Sequence, residues 1–187
     1  MNTLSDLRRE MAGDFRTTDD NLREKMKPLH AVMKAAARSG EGFRQGQAAP
    51  ATAQNAAFLA LAAMLPGSPK TIAARVQKLW TAHFEPKGQT CPVTKATTLG
   101  DAFVVLIEDA AARAKLQMMQ IAYDYEVVSF TWNDDRVSVF HPHSDREYQE
   151  RVEEAKADRA GFTRVGQLGP NTFAKIAALT DDNAAAT

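Results

Sequence analysis

The chain has a single cysteine, Cys91, among its 187 residues. An internal disulfide is therefore excluded, and so are zinc modules built on paired cysteines. Because disulfides accumulate in oxidising compartments, one cysteine favours a reducing one, and we expect a cytoplasmic location. No positive or helix-terminal environment can be assigned to Cys91 from its neighbours, so we expect an inert thiol.

Long hydrophobic segments are also missing. The longest apolar run, Ala56 to Leu65, has ten residues, about half of what a bilayer-spanning helix needs. The first residues, MNTLSDLRREMAGDF, are charged and lack the apolar core of a secretory signal. We therefore expect a buried helix at Ala56 to Leu65 and no membrane partner.

The sequence contains neither a P-loop nor a dinucleotide fingerprint, and it shows no complete catalytic constellation. We assign no catalytic residues and expect no cofactor. Net charge is zero, but residues 1–95 carry 14 basic and 8 acidic side chains, and residues 96–187 carry 9 and 15. This asymmetry is typical of a nucleic-acid contact on the basic side or of two halves that attract each other, and we favour the second interpretation.

The composition, 44% hydrophobic and 25% charged, is that of a globular protein. Hydrophobic periodicity predicts an α+β fold that is predominantly helical. We expect a helical N-terminal arm over residues 1–40, a Gly- and Gln-rich linker over 41–52, and a mainly helical body over 53–187. Within the body, apolar spacing predicts a long helix over 98–120, and alternation predicts one β-hairpin near 125–141.

The stretch LPGSPKTIAARVQKLW raises the possibility of DNA recognition. Ser68 and Pro69 are favourable at a helix start, and the pattern predicts a helix over 69–84. Its apolar side is Ile72, Val76, Leu79 and Trp80, with His83 on the same side. Its exposed polar side is Lys70, Thr71, Arg75 and Lys78.

A short helix and a tight turn containing Gly precede this segment, which is the plan of a helix-turn-helix. Over about a dozen residues, SPKTI and the basic face after it resemble the start of recognition helices in LuxR-type regulators. The resemblance implies a DNA-binding regulator in which Lys70, Thr71, Arg75 and Lys78 contact bases and phosphates.

The segment HPHSD is a candidate metal site. In an extended chain His141, His143 and Asp145 share one side, and two imidazoles with a carboxylate suit zinc or iron. Asp145 also has a local explanation in the first turn of a helix capped by Ser144. A metal-dependent enzyme at His141 and His143 is therefore our third alternative, and we assign no metal.

The predicted arm carries an apolar face, which we interpret as a protein interface formed by Leu4, Leu7, Met11 and Phe15. Our leading interpretation is a non-enzymatic binding protein, such as an accessory, adaptor, inhibitor or assembly component of bacterial or mobile-element type. Its expected partner is another protein or a second copy of the chain. A DNA-binding regulator using the helix 69–84 is the second interpretation.

Overall fold

The computed structural model describes residues 3–15, 17–29, 51–157 and 165–180. These ranges contain both helices and strands, which confirms the predicted α+β, predominantly helical class. The helices are α1 Leu4–Asp14, α2 Asp19–Met26 (followed by a 3₁₀ turn, Lys27–Leu29), α3 Ala53–Met64, α4 Pro69–Trp80, α5 Leu99–Glu108, α6 Ala110–Ala114, α7 Asp145–Ala157 and α8 Pro170–Thr180. The strands are β1 His83–Glu85, β2 Leu116–Ala122, β3 Val127–Trp132, β4 Val137–His141 and β5 Val165–Leu168.

Threonine caps fix where several helices begin. The hydroxyls of Thr3, Thr18, Thr52 and Thr98 each accept a hydrogen bond from the backbone N–H three residues later. At α1 the carboxylate of Asp6 also accepts from the backbone N–H of Thr3, which completes a capping box. Each cap satisfies a donor that the helix itself leaves unpaired.

The predicted hairpin is present as β3 and β4, with Asp135 in the turn at a left-handed φ of 61°. It is not alone, however. It forms part of a five-stranded antiparallel sheet in the order β1-β4-β3-β2-β5. A two-stranded hairpin is marginally stable in water, and the three additional strands supply the missing pairing.

The prediction of one long helix over residues 98–120 is wrong, because this segment forms two shorter helices and the start of a strand. Helix α5 ends at Glu108 because the carboxylate of Asp109 accepts from the backbone N–H groups of Ala111 and Ala112 and starts the short α6. The chain then enters β2, where buried Met119 and Ile121 alternate with half-exposed Gln120. The apolar spacing of this segment suits both a helix and a strand, and strand pairing decides between them.

One face of the sheet packs into an apolar core. Phe130 packs edge-on against Trp132 and Phe140 and lies near Phe103 of α5. Beneath these rings the hydroxyl of Ser138 accepts a hydrogen bond from Nε1 of Trp132 at 2.9 Å. Its oxygen also lies 3.4 Å from Sγ of Cys91, and all three of these side chains are buried.

The opposite face of the sheet, called here the open face, is only partly covered. Its members lie at the alternate strand positions, and most of them are half-buried or exposed: Val127, Ser129, Thr131, Val137, Val139, Met118, Gln120, Ala122 and Val165. Val137 is 57% exposed and Val165 43% exposed, which is high for large apolar side chains.

The contacts divide the chain into two compact units, Met1–Val76 with Asn171–Thr187, and Gln77–Pro170. In the first, α1 and α2 pack against α3, whose side chains are almost all buried. Arg8 joins α1 to α2 through two hydrogen bonds to the Asp19 carboxylate, at 2.6 and 3.0 Å. Except for residues 51 and 52, the predicted linker 41–52 lies outside the described residues.

Candidate metal centre

Two histidines and a glutamate meet where β1 pairs with β4 at the edge of the sheet. The antiparallel register places His83 directly opposite His141. Glu85 is two residues after His83, so its side chain lies on the same face of the sheet. The three side chains therefore share the open face, although they come from segments that are far apart in sequence.

The distances between these groups suit a shared ligand. One donor atom from each of His83, Glu85 and His141 lies within 4.8 Å of the other two. Nε2 of His141 is 3.2 Å from Oε2 of Glu85, and the two imidazole ring centroids are 4.5 Å apart. Zinc holds such nitrogen and oxygen donors at about 2.0–2.2 Å, so modest side-chain rotations would close the set around one ion.

The hydrogen bonding of this cluster is incomplete. Nε2 of His83 and Nδ1 of His141 are buried and have no hydrogen-bond partner among the residues that the structure describes. Buried polar atoms are nearly always satisfied, so two imidazole nitrogens without a protein partner in one cluster favour the binding of an ion or a water molecule here.

The electrostatics keep His141 in the form that binds metals. Burial lowers the pKa of His141, and the hydrogen bond to the Glu85 carboxylate opposes this shift without reversing it. The imidazole is therefore neutral at physiological pH, with a lone pair available on a ring nitrogen. The Tyr148 ring stacks on His141, with centroids 3.9 Å apart and an interplanar angle of 2°, which restricts the orientation of the imidazole.

The pair predicted from sequence, His141 with His143, is not the cluster that the structure forms. The two ring centroids are 6.2 Å apart, and Nε2 of His143 donates to the carbonyl oxygen of Tyr125 at 2.8 Å. His143 contributes no donor atom to the group whose donor atoms lie within 4.8 Å of one another. Asp145 lies exposed in the first turn of α7, as its helix-start position favours. Only His141 belongs to both the predicted and the observed sets.

The sequence pattern does not connect His83 and Glu85 with a metal site, because the helix predicted over 69–84 includes His83. Helix α4 ends at Trp80, and the next residues form β1. The backbone N–H of Leu99 donates to the carbonyl of Ala82, which helps to hold this segment extended. The alternation His-Phe-Glu, with only the Phe buried, is the one local signal of a strand, and three residues are too few to recognise.

The polar side of α4 is as exposed as predicted, with one exception. Lys70, Thr71 and Lys78 are exposed, whereas Arg75 is half-buried and its guanidinium lies 3.5 Å from the carbonyl oxygen of Pro66. Lys78 forms an ion pair with Glu126. On the apolar side, Ile72, Val76 and Leu79 are buried as predicted. Trp80, also predicted to be buried, is half-buried.

The predicted interface of the N-terminal arm lies inside the first unit. Leu4, Leu7 and Met11 are buried, and Phe15 is half-buried, because α1 packs against α2 and α3. In this conformation the apolar side of α1 is covered by the chain itself.

Comparison of the chain with family models, with curated proteins and with solved structures finds no match. Within the described ranges, no helix has the length and hydropathy that a membrane span requires. A function is therefore inferred first from the chemistry of His83, Glu85 and His141.

Proposed function

We propose that this chain binds a divalent transition-metal ion through His83, Glu85 and His141. The observation that carries the proposal is the cross-strand arrangement of the three side chains, together with the two buried imidazole nitrogens that have no partner in the described structure. A metal ion would accept the lone pairs of buried imidazole nitrogens that otherwise have no hydrogen-bond donor.

The donor set favours zinc and its neighbours. Imidazole suits zinc, iron, copper and nickel, whereas magnesium and calcium prefer sites made only of oxygen. One carboxylate is too little for a calcium site, which takes six to eight oxygen ligands. We therefore name zinc as the first ion to test.

Metal binding would stabilise the edge of the sheet. The ligands come from β1, a strand of three residues, and from β4, so one ion would join the two strands. An ion that binds only the folded chain adds about 2.7 kcal/mol of stability at a concentration of 100 times its Kd. Zinc should therefore raise the melting temperature of metal-free protein.

The test is isothermal titration of metal-free protein with zinc, supported by thermal unfolding. Wild type should bind one ion per chain. His83→Asn and Glu85→Gln should each weaken binding at least about tenfold, since losing even a residue that only orients a metal ligand has this effect.

His143→Asn is the matched control, because the His143 ring stacks beside that of His141 but contributes no donor atom to the cluster. Its zinc affinity should stay within about threefold of wild type, a difference of well under 1 kcal/mol. Absence of binding by wild type at millimolar zinc, or an equal loss in His143→Asn and His83→Asn, would contradict the proposal.

A second function, protein contact, is favoured by the open face of the sheet. Val137 on β4 and Val165 on β5 are highly exposed there, and large apolar side chains exposed on a sheet face favour contact with a partner. We propose a second copy of the chain as the partner. Light scattering should then give a mass above the monomer, and Val137→Lys with Val165→Lys should restore the monomer mass. A wild type that stays monomeric at high concentration would exclude self-association.

A further inference from the structure

The geometry points to an exchangeable coordination position on the bound metal, open to a small anionic oxygen or nitrogen donor. This inference rests on the metal binding proposed above and concerns what the ion would do once bound. Structural zinc sites are closed by four protein ligands, whereas sites that bind and activate small molecules keep one position for water or substrate.

Three protein ligands are available among the described residues, and the neighbouring candidates for a fourth are occupied or remote. His143 contributes no donor atom to the cluster, whose donor atoms lie within 4.8 Å of one another. Asp145 is exposed at the start of α7 and lies outside the cluster. Cys91 is buried beside Ser138, whose side chain is on the opposite face of the sheet. An ion that takes four ligands would complete its shell with solvent.

The cluster has a buried floor and an accessible mouth. His141 is completely buried, and the stacked Tyr148 ring covers one side of its imidazole. His83 is half-buried, and the side chain of Glu85 is 28% exposed. A solvent molecule or a small ligand can therefore approach from the side of Glu85 without displacing the core.

The charge at the site favours an anion in that position. Two neutral imidazoles and one carboxylate leave a divalent ion with a net charge of one positive unit. A bound cation is then the largest local charge and attracts a negative donor, such as hydroxide, a carboxylate or azide. The exchange replaces the bound water by the anion and needs no redox step.

The experiment uses cobalt(II), which replaces zinc in such sites and whose visible spectrum reports its coordination. Cobalt-loaded wild type is titrated with azide. We expect a saturable spectral change that fits one azide per cobalt. A normal cobalt spectrum that azide does not alter, up to molar concentration, would overturn the open position while leaving the metal site intact. Absence of any protein-dependent cobalt spectrum would instead refute the metal site itself.

Val139→His is a variant designed to close the site. Val139 lies directly opposite Glu85 in the register and two residues before His141, so its side chain is on the same face as the ligands. A fourth imidazole there should keep cobalt bound and abolish the azide response. A persisting response would mean that azide displaces a protein ligand, which would overturn the inference.

Water-proton relaxation of the copper(II)-loaded wild type gives a second readout that needs no variant. We expect a relaxation enhancement that azide removes, because the anion replaces an exchangeable water. Copper-loaded protein without enhancement would count against the open position.

Discussion

Replacing Ser138 by alanine should destabilise the second unit without touching the metal ligands. The Ser138 hydroxyl is the acceptor for Nε1 of Trp132 at 2.9 Å, and both side chains are 1% exposed. Ser138→Ala leaves a buried indole N–H without its acceptor, and such a loss costs about 1–3 kcal/mol. The adjacent Cys91 thiol loses its 3.4 Å neighbour as well, so we expect a value near the middle, about 2 kcal/mol.

The assay is urea unfolding followed by tryptophan fluorescence, with the midpoint compared at unchanged slope. Ser129→Ala is the matched control, because Ser129 is half-exposed on the open face of the neighbouring strand. It should shift the free energy of unfolding by no more than about 0.5 kcal/mol. Combining Ser138→Ala with Trp132→Phe should cost less than the sum of the two single changes, since the donor is then gone. Equal effects of Ser138→Ala and Ser129→Ala would refute the reasoning.

Other substitutions test the packing, the charges and the DNA alternative. Gly100→Ala should cost about 1–3 kcal/mol of stability in the same unfolding assay, because its Cβ would lie 2.4 Å from Cε2 of Trp80; an unchanged midpoint would contradict this packing. The hydrogen bond from a neighbouring arginine lowers the pKa of Asp19, so this contact stabilises the fold above the unfolded pKa and is lost as pH falls through the folded value. Asp19→Asn should therefore flatten the decline in melting temperature below about pH 4, and an unchanged pH profile would argue against it. DNA binding is tested by a mobility-shift series against salt. The double variant Arg75→Ala with Lys78→Ala should leave the dependence of duplex-DNA affinity on salt unchanged, since Lys78 already forms an ion pair with Glu126. A slope flattened by about one unit per substituted residue would instead favour the DNA-binding regulator.

The local features of the fold could be predicted from sequence because they depend on neighbouring residues. Thr3 and Thr98 each precede a helical pattern and have an Asp three residues later, and both cap a helix. The hairpin of β3 and β4 has alternating apolar residues around a polar turn, and it is present. Caps and tight turns are decided within a few residues, so a single sequence contains the necessary information.

The candidate metal centre could not be predicted in the same way, because long-range pairing creates it. His83 meets His141 only after β1 has paired with β4, and nothing near His83 in the sequence indicates that partner. His143 looked equally suitable because it alternates with His141 along the chain. The structure separates them, because the donor atoms that lie within 4.8 Å of one another belong to His83, Glu85 and His141 and not to His143.

The strand order has a consequence for how the sheet assembles and opens. Strands β2, β3 and β4 follow one another along the chain and pair as neighbours, whereas the edge strands β1 and β5 are recruited from distant segments. Contacts between near neighbours form fastest, so the central three strands should form before β1 docks. Backbone amides of β1 should then exchange with deuterium sooner than those of β3, because weakly held edges open locally. An ion bound across β1 and β4 would slow that exchange selectively. The deuterium-exchange rates of the three β1 amides would then report whether the metal site is occupied.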